Sequence, residues 1–210
     1  SITLSPTALD RNGISAAETL GSATSFTIGG ALASGVTVTL AQPQHVAIYA
    51  GGNNSGVVFT VTGTDRYGNA MTEAITGPNA TTVAGSKNFA TITDVASDGA
   101  TTGNVEVGTD GTCESQWYLV NYRGYDFNLG FGCEISSGGS LTYAVEHTFN
   151  NVLATGFVED DATVYTNSTV TGETTKQYGN YTNPPTAIRL AITAHTSGSA
   201  TIRIVSGGLS

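Results

Sequence analysis

The chain has 210 residues, 39% of them hydrophobic and only 11% charged, with a formal net charge of −9. With 7 Lys and Arg against 16 Asp and Glu there is no basic footprint for a phosphate backbone or an anionic bilayer, so neither nucleic acid nor membrane is expected as a partner. The usual charged share is about 25%. Thr, Ser, Asn and 27 Gly take its place, the make-up of an exported or virion β-protein rather than of a cytosolic enzyme.

The opening "SITLSPTALDRNG" lacks the basic and apolar regions of a secretory signal, which leaves a removed leader or folding in the cytoplasm. With Pro6 and Gly13 it reads either as an arm that reaches a neighbour or as a frayed terminus. "ISAAETL", residues 14–20, is the one stretch with a helical pattern, good for one or two turns. Strand patterns then follow in quick succession at residues 36–40, 45–50, 57–63, 70–76, 87–95 and 104–108. Between two of them, Asp65-Arg66-Tyr67-Gly68-Asn69 is hairpin-turn chemistry, because Asp bonds its own backbone two residues on and Gly and Asn tolerate positive φ. A calcium loop there would need more than one acidic residue.

The Gly/Thr/Asp cluster "VGTDGTCES" marks a boundary, giving an N-terminal domain with its arm over residues 1–110 and a C-terminal domain over 111–210. Further strands are expected at 116–122, 127–135, 140–149, 187–195 and 199–207. Turn punctuation at about 8–12 residues is what sandwiches and barrels show, so the expected class is all-β: two antiparallel β-sandwich domains, jelly-roll or Ig-like. Cys113 and Cys133 end a stretch that reads as two strands folded on each other, which would set them opposite one another. That reading leaves open a disulfide and a pair of buried thiols. In "SLTYAVEHTF" strict alternation puts Leu141, Tyr143, Val145, His147 and Phe149 on one face, making His147 a core or interface histidine.

Residues 150–185 form a polar insertion too long for a bare hairpin loop. Its tyrosines Tyr165, Tyr178 and Tyr181, spaced by Thr, Asn and Gly, are the candidate interaction surface, against the alternative of a floppy excursion. Its acids Glu159, Asp160 and Asp161 read as a solvated turn rather than a glycosidase pair or a metal site. Two cysteines and three scattered histidines, His45, His147 and His195, do not have zinc-site spacing, and no nucleophile elbow, zincin helix, P-loop or dinucleotide fingerprint is present. No catalytic, cofactor-binding or metal-binding residue is therefore assigned, and no enzyme activity or cofactor is expected.

The order of motifs from residue 36 to 208 resembles structural proteins of tailed bacteriophages. "VTGTDRYGNAMTEAITGPNATTVAGSKNFATITDV" carries the TGTD, TE-x-I, GPN and K-x-F pieces at 62–65, 72–75, 77–79 and 87–89. "SQWYLVNYRGYDFNLGFGCEISSGGSLTYAVEHTFNNV" is similar to the family's Trp-bearing strand, Phe-Asn strand and Tyr hairpin, and "PPTAIRLAITAHTSGSATIRIVSGG" to its closing strands. The chain departs from the pattern in the insertion between Val152 and Pro184 and at Ser206, where Gln is usual. The resemblance implies a non-enzymatic virion component assembled in the host cytoplasm. That component would be a capsid decoration (cement) protein, a trimer docking on the major capsid protein or another virion protein. The alternative is a head-fibre, neck or tail component, or a glycan-binding adhesion module stacking Trp117 and the insertion tyrosines on sugars. A glycan hydrolase working through Asp160 and Asp161 is the third class.

Overall fold

The computed structural model describes residues 1–121 and 127–206, and over these the protein is all-β: nineteen strands, one short 3-10 turn, and only antiparallel pairings. Two compact units form, Pro6–Thr112 and Cys113–Ser210 together with Ser1–Ser5. The division falls two residues beyond the expected 110/111 boundary. The first five residues, expected as an arm of the N-terminal half, pair instead as β1 (Ile2–Leu4) with the strand Ala200–Ser206. Alternation explains the capture: Leu4 is 1% exposed and inserts into the core of that unit.

The unit Pro6–Thr112 contains β2 (Asp10–Glu18), β3 (Thr24–Ser25), β4 (Ala33–Ser34), β5 (Thr37–Gln44), β6 (Val46–Ala50), β7 (Val58–Thr64), β8 (Ala70–Thr76), β9 (Thr82–Ala84), β10 (Phe89–Ser97) and β11 (Val105–Thr109). One sheet has the order β4-β5-β10-β7-β8, with β3 also on β10, and the other runs β2-β11-β6-β9. Only His45 separates β5 from β6, so one residue carries the chain from sheet to sheet. Period-2 burial in β7 turns Phe59 and Val61 inward, and β10, irregular in register against β5 and β7, brings in Phe89, Ile92 and Val95; they meet Ile14, Val46, Ile48 and Val107 of the other sheet.

The expected helix at 14–20 is a strand for most of its length. Residues of β2 face β11 at Ser15–Val107 and Glu18–Val105, and the sheet's backbone pairing with Ile14 fully buried overrides the helical propensity of Ala-Ala-Glu. The Asp65 turn forms as read: Asp65 Oδ1 accepts the amide protons of Tyr67 (2.8 Å) and Asn69 (2.9 Å), and Gly68 sits at φ 83°. Gly63 in β7 is required by packing, because a Cβ there would overlap the Thr91 carbonyl oxygen at the irregular register between β7 and β10.

The second unit adds to β1 the strands β12 (Cys113–Glu114), β13 (Tyr118–Leu119), β14 (Leu129–Ile135), β15 (Ser140–Thr148), β16 (Tyr165–Thr166), β17 (Gln177–Tyr181), β18 (Ala187–Ser197) and β19 (Ala200–Ser206). Its sheets are β1-β19-β14-β17 and β12-β18-β15-β16, with β13 also on β18. The core between them draws Phe131, Cys133 and Ile202 from the first and Tyr143, Val145, Leu190 and Ile192 from the second. The strand expected at 116–122 shrinks to Tyr118–Leu119, both exposed, and Tyr122 lies outside the described residues. Cys113 and Cys133 are buried thiols on β12 and β14, strands of different sheets, rather than a facing pair on one hairpin. Burial pushes the Cys133 thiol up to about 12, which keeps it protonated and unreactive.

Leu4→Ala is expected to cost about 2–5 kcal/mol in the second unit alone. Hydrogen exchange should show lost protection in β19 and β14 with β7 and β10 unchanged.

Candidate interaction surface

The polar insertion is bound to the sheet along much of its length. Tyr143 and Glu173 exchange both backbone hydrogen bonds, at 2.9 and 2.8 Å. The Val145 amide donates to Val170 O (3.0 Å), and Val145 O accepts the Asn167 amide (2.8 Å). Asn167 makes the local turn, its Oδ1 accepting the amide protons of Thr169 (2.9 Å) and Val170 (3.1 Å), and Val170 goes fully into the core. This covers an edge of β15 that would otherwise present unpaired backbone groups.

The three candidate tyrosines are not one surface. Tyr181 is 8% exposed, its ring 5.6 Å from that of Phe131 and its hydroxyl 3.1 Å from His147 Nδ1. It belongs to the core because β17 alternates inward at Gln177, Gly179 and Tyr181. Burial pushes its hydroxyl up to about 12, so it stays a neutral phenol. Tyr165 is exposed on β16, and Tyr178 projects outward from β17 on the opposite sheet.

Tyr165 heads an aromatic cluster that alternation alone did not reveal. Its ring stacks on His147 at 5.6 Å and meets Phe149 edge-on at 5.6 Å, while His147 also contacts Phe149 and Tyr181 at 5.6 and 5.0 Å. Phe149, expected inside, is 57% exposed because β15 ends at Thr148, whose hydroxyl donates to Asn150 Oδ1 and accepts the Asn150 amide as the chain turns away. Phe149 and Tyr165 thus show their outer faces to solvent over a base of half-buried His147 and buried Tyr181. Exposed large apolar side chains also occur along the same segment at Leu153, Val158 and Val164.

Trp117 belongs to a different arrangement. The Arg189 guanidinium lies 4.5 Å over its ring while Arg189 Nε donates to Glu146 Oε2 at 2.7 Å. The indole Nε1–H donates to Glu159 O (3.3 Å), tying the insertion's short Glu159–Asp161 turn to the sheet. The indole is therefore a buried structural clamp, with no open face for a sugar. Among the described residues no three His, Cys, Asp or Glu lie close enough together to hold a metal ion.

The outer face of β14 carries a second surface. Gly130 and Gly132 point outward there, alternating with buried Leu129, Phe131 and Cys133. Gly132 is opposite Tyr178 on one side and Arg203 on the other, and Gly130 is opposite Asn180 and Val205. An added Cβ would meet nothing within 4 Å at Gly132 and only Val205 O, at 3.8 Å, at Gly130. Neither has positive φ. Each glycine costs roughly 0.5–1 kcal/mol relative to alanine, with no return in packing.

A scan against protein-family models, a search of curated proteins and a search of solved structures each find no match.

Two measurements test this arrangement. Arg189→Ala is expected to cost about 1.5–3 kcal/mol, because it leaves the part-buried Glu146 carboxylate without its charged partner; a denaturant melt reads it. Burial lowers the pKa of His147, so the folded state holds fewer protons there than the unfolded chain once pH drops below about 6.5. Stability from this residue is complete above that pH and is lost as pH falls through the lowered folded value. Urea midpoints for wild type and His147→Gln between pH 7.5 and 5 should differ in slope, with the variant less pH-dependent.

Proposed function

We propose that the chain is a non-enzymatic structural protein of a tailed-phage virion, a decoration protein that binds and stabilises the head lattice. The observation that carries this reading is the aromatic surface of Phe149 and Tyr165. It joins the end of β15 to an insertion pinned by paired backbone hydrogen bonds, and half-buried His147 and buried Tyr181 back it. Two exposed rings on a rigid, predominantly uncharged surface are what a protein partner buries at the centre of an interface. The ordered motif resemblance over residues 36–208 supports the virion setting, and the net charge of −9 suits docking on basic shell surfaces. A trimer at lattice three-folds matches the symmetry of such a partner, the major capsid protein.

Quantitative densitometry of purified virions tests the position. A copy number comparable to the shell protein is expected for a lattice coat, and a number far below it would move the chain to the neck, tail or a fibre. Phe149→Ser with Tyr165→Ser is expected to weaken co-sedimentation with undecorated shells by about tenfold or more, with the far-UV circular dichroism unchanged. Undiminished binding would remove the aromatic surface from the interface.

A further inference from the structure

The recess on the outer face of β14 is independent of the Phe149–Tyr165 surface and lies on the other sheet of the unit. It is a shallow cavity of about 490 Å³ along Gly130 and Asn180, continued past Tyr178 by one of about 350 Å³ along Gly132. Tyr178 lines both and is 79% exposed, so its ring forms a wall standing between them. Asn128, Thr169 and Asn180 line the larger part, and among the described residues no hydrogen bond engages their carboxamides or hydroxyl. The charged groups lie at the far end, where Arg203 pairs with Glu134 and Lys176 stands beside them.

We propose that this recess binds a neutral sugar unit of an oligosaccharide. Aromatic rings receive the C–H face of a pyranose, and uncharged amides and hydroxyls bond its hydroxyls in both donor and acceptor senses. The floor lets a ring lie against the strand, because Gly130 and Gly132 keep side chains out of a space that would accept them. The other ligand classes fit the lining less well. A phosphate-bearing or acidic ligand would need cations, and the larger part of the recess is lined by none; Lys176 and Arg203 line only its far end, where Glu134 already holds Arg203. A peptide strand adds to a sheet edge through its backbone, whereas on this face the backbone of β14 is already paired with β17 and β19. An apolar protein knob would cover the Asn128, Thr169 and Asn180 polar groups without giving them partners.

The test is binding of the full chain to a printed array of neutral oligosaccharides, built from hexoses, deoxyhexoses and N-acetylhexosamines, with acidic glycans alongside. The expected result is retention on a subset of the neutral glycans. That retention should fall at least tenfold in Tyr178→Ala, which removes the wall, and in Gly132→Val, which fills the floor. Gly132→Val should melt no lower than wild type, since its side chain enters open space on a strand that favours valine. Any of four outcomes overturns the proposal: no neutral glycan retained, acidic glycans alone retained, retention undiminished in either variant, or a Gly132→Val protein that fails to fold.

Discussion

The second unit is organised around one buried cation. Arg189 is 8% exposed in a chain with only 7 Lys and Arg, and taking a guanidinium out of water is costly unless its charge and donors are met. Glu146 stands directly opposite it across β15 and β18 and supplies the carboxylate, and the face of Trp117 supplies the rest. A one-residue slip of either strand would send one charge to the wrong face and leave the other buried alone. The same indole reaches the Glu159 carbonyl, so the register of the sheet, the segment after β12 and the insertion are held by one stack of side chains.

Glycine serves two opposite ends in this chain. At Gly63 the neighbouring backbone is so close that any side chain would collide, and the residue is a condition of the fold. At Gly130 and Gly132 there is room for a side chain and no backbone reason to omit one. The first kind is legible only from structure, because sequence cannot say what lies above a strand. The second kind is half legible: "LGFGC" alternates apolar with glycine, which marks an outward face left bare, but the Tyr178 wall that makes the bare face a recess comes from a distant strand.

The long alternating strands could be read directly from the chain. Phe59 and Val61 in β7, or Leu141, Tyr143 and Val145 in β15, declare their face by period alone. Strands of two or three residues, such as β3, β4 and β16, carry too few positions to show a period and form because a neighbour offers them a ladder. The tyrosines of the insertion shared a composition but not an environment. Tyr178 and Tyr181 lie three apart on one strand and therefore face opposite ways, and the order in "TNSTV" that seats Asn167 as a turn and Val170 as a core residue was the cue that the segment was held. Phe149 shows the limit of alternation: the pattern holds only as far as the strand does.

The pairing of Ile2 with Ile202 has a consequence for how the polypeptide assembles. Residues 6–112 are contiguous, so their core can close while the ribosome is still extending the chain. The other core joins Leu4 to Ala200 and Ile202, and it cannot be completed before those two residues emerge. Closing that long loop makes it the slower event by topology. During the interval Leu4 and the inner face of β14 are without their final neighbours, which places the hazard of premature association in the later-closing half.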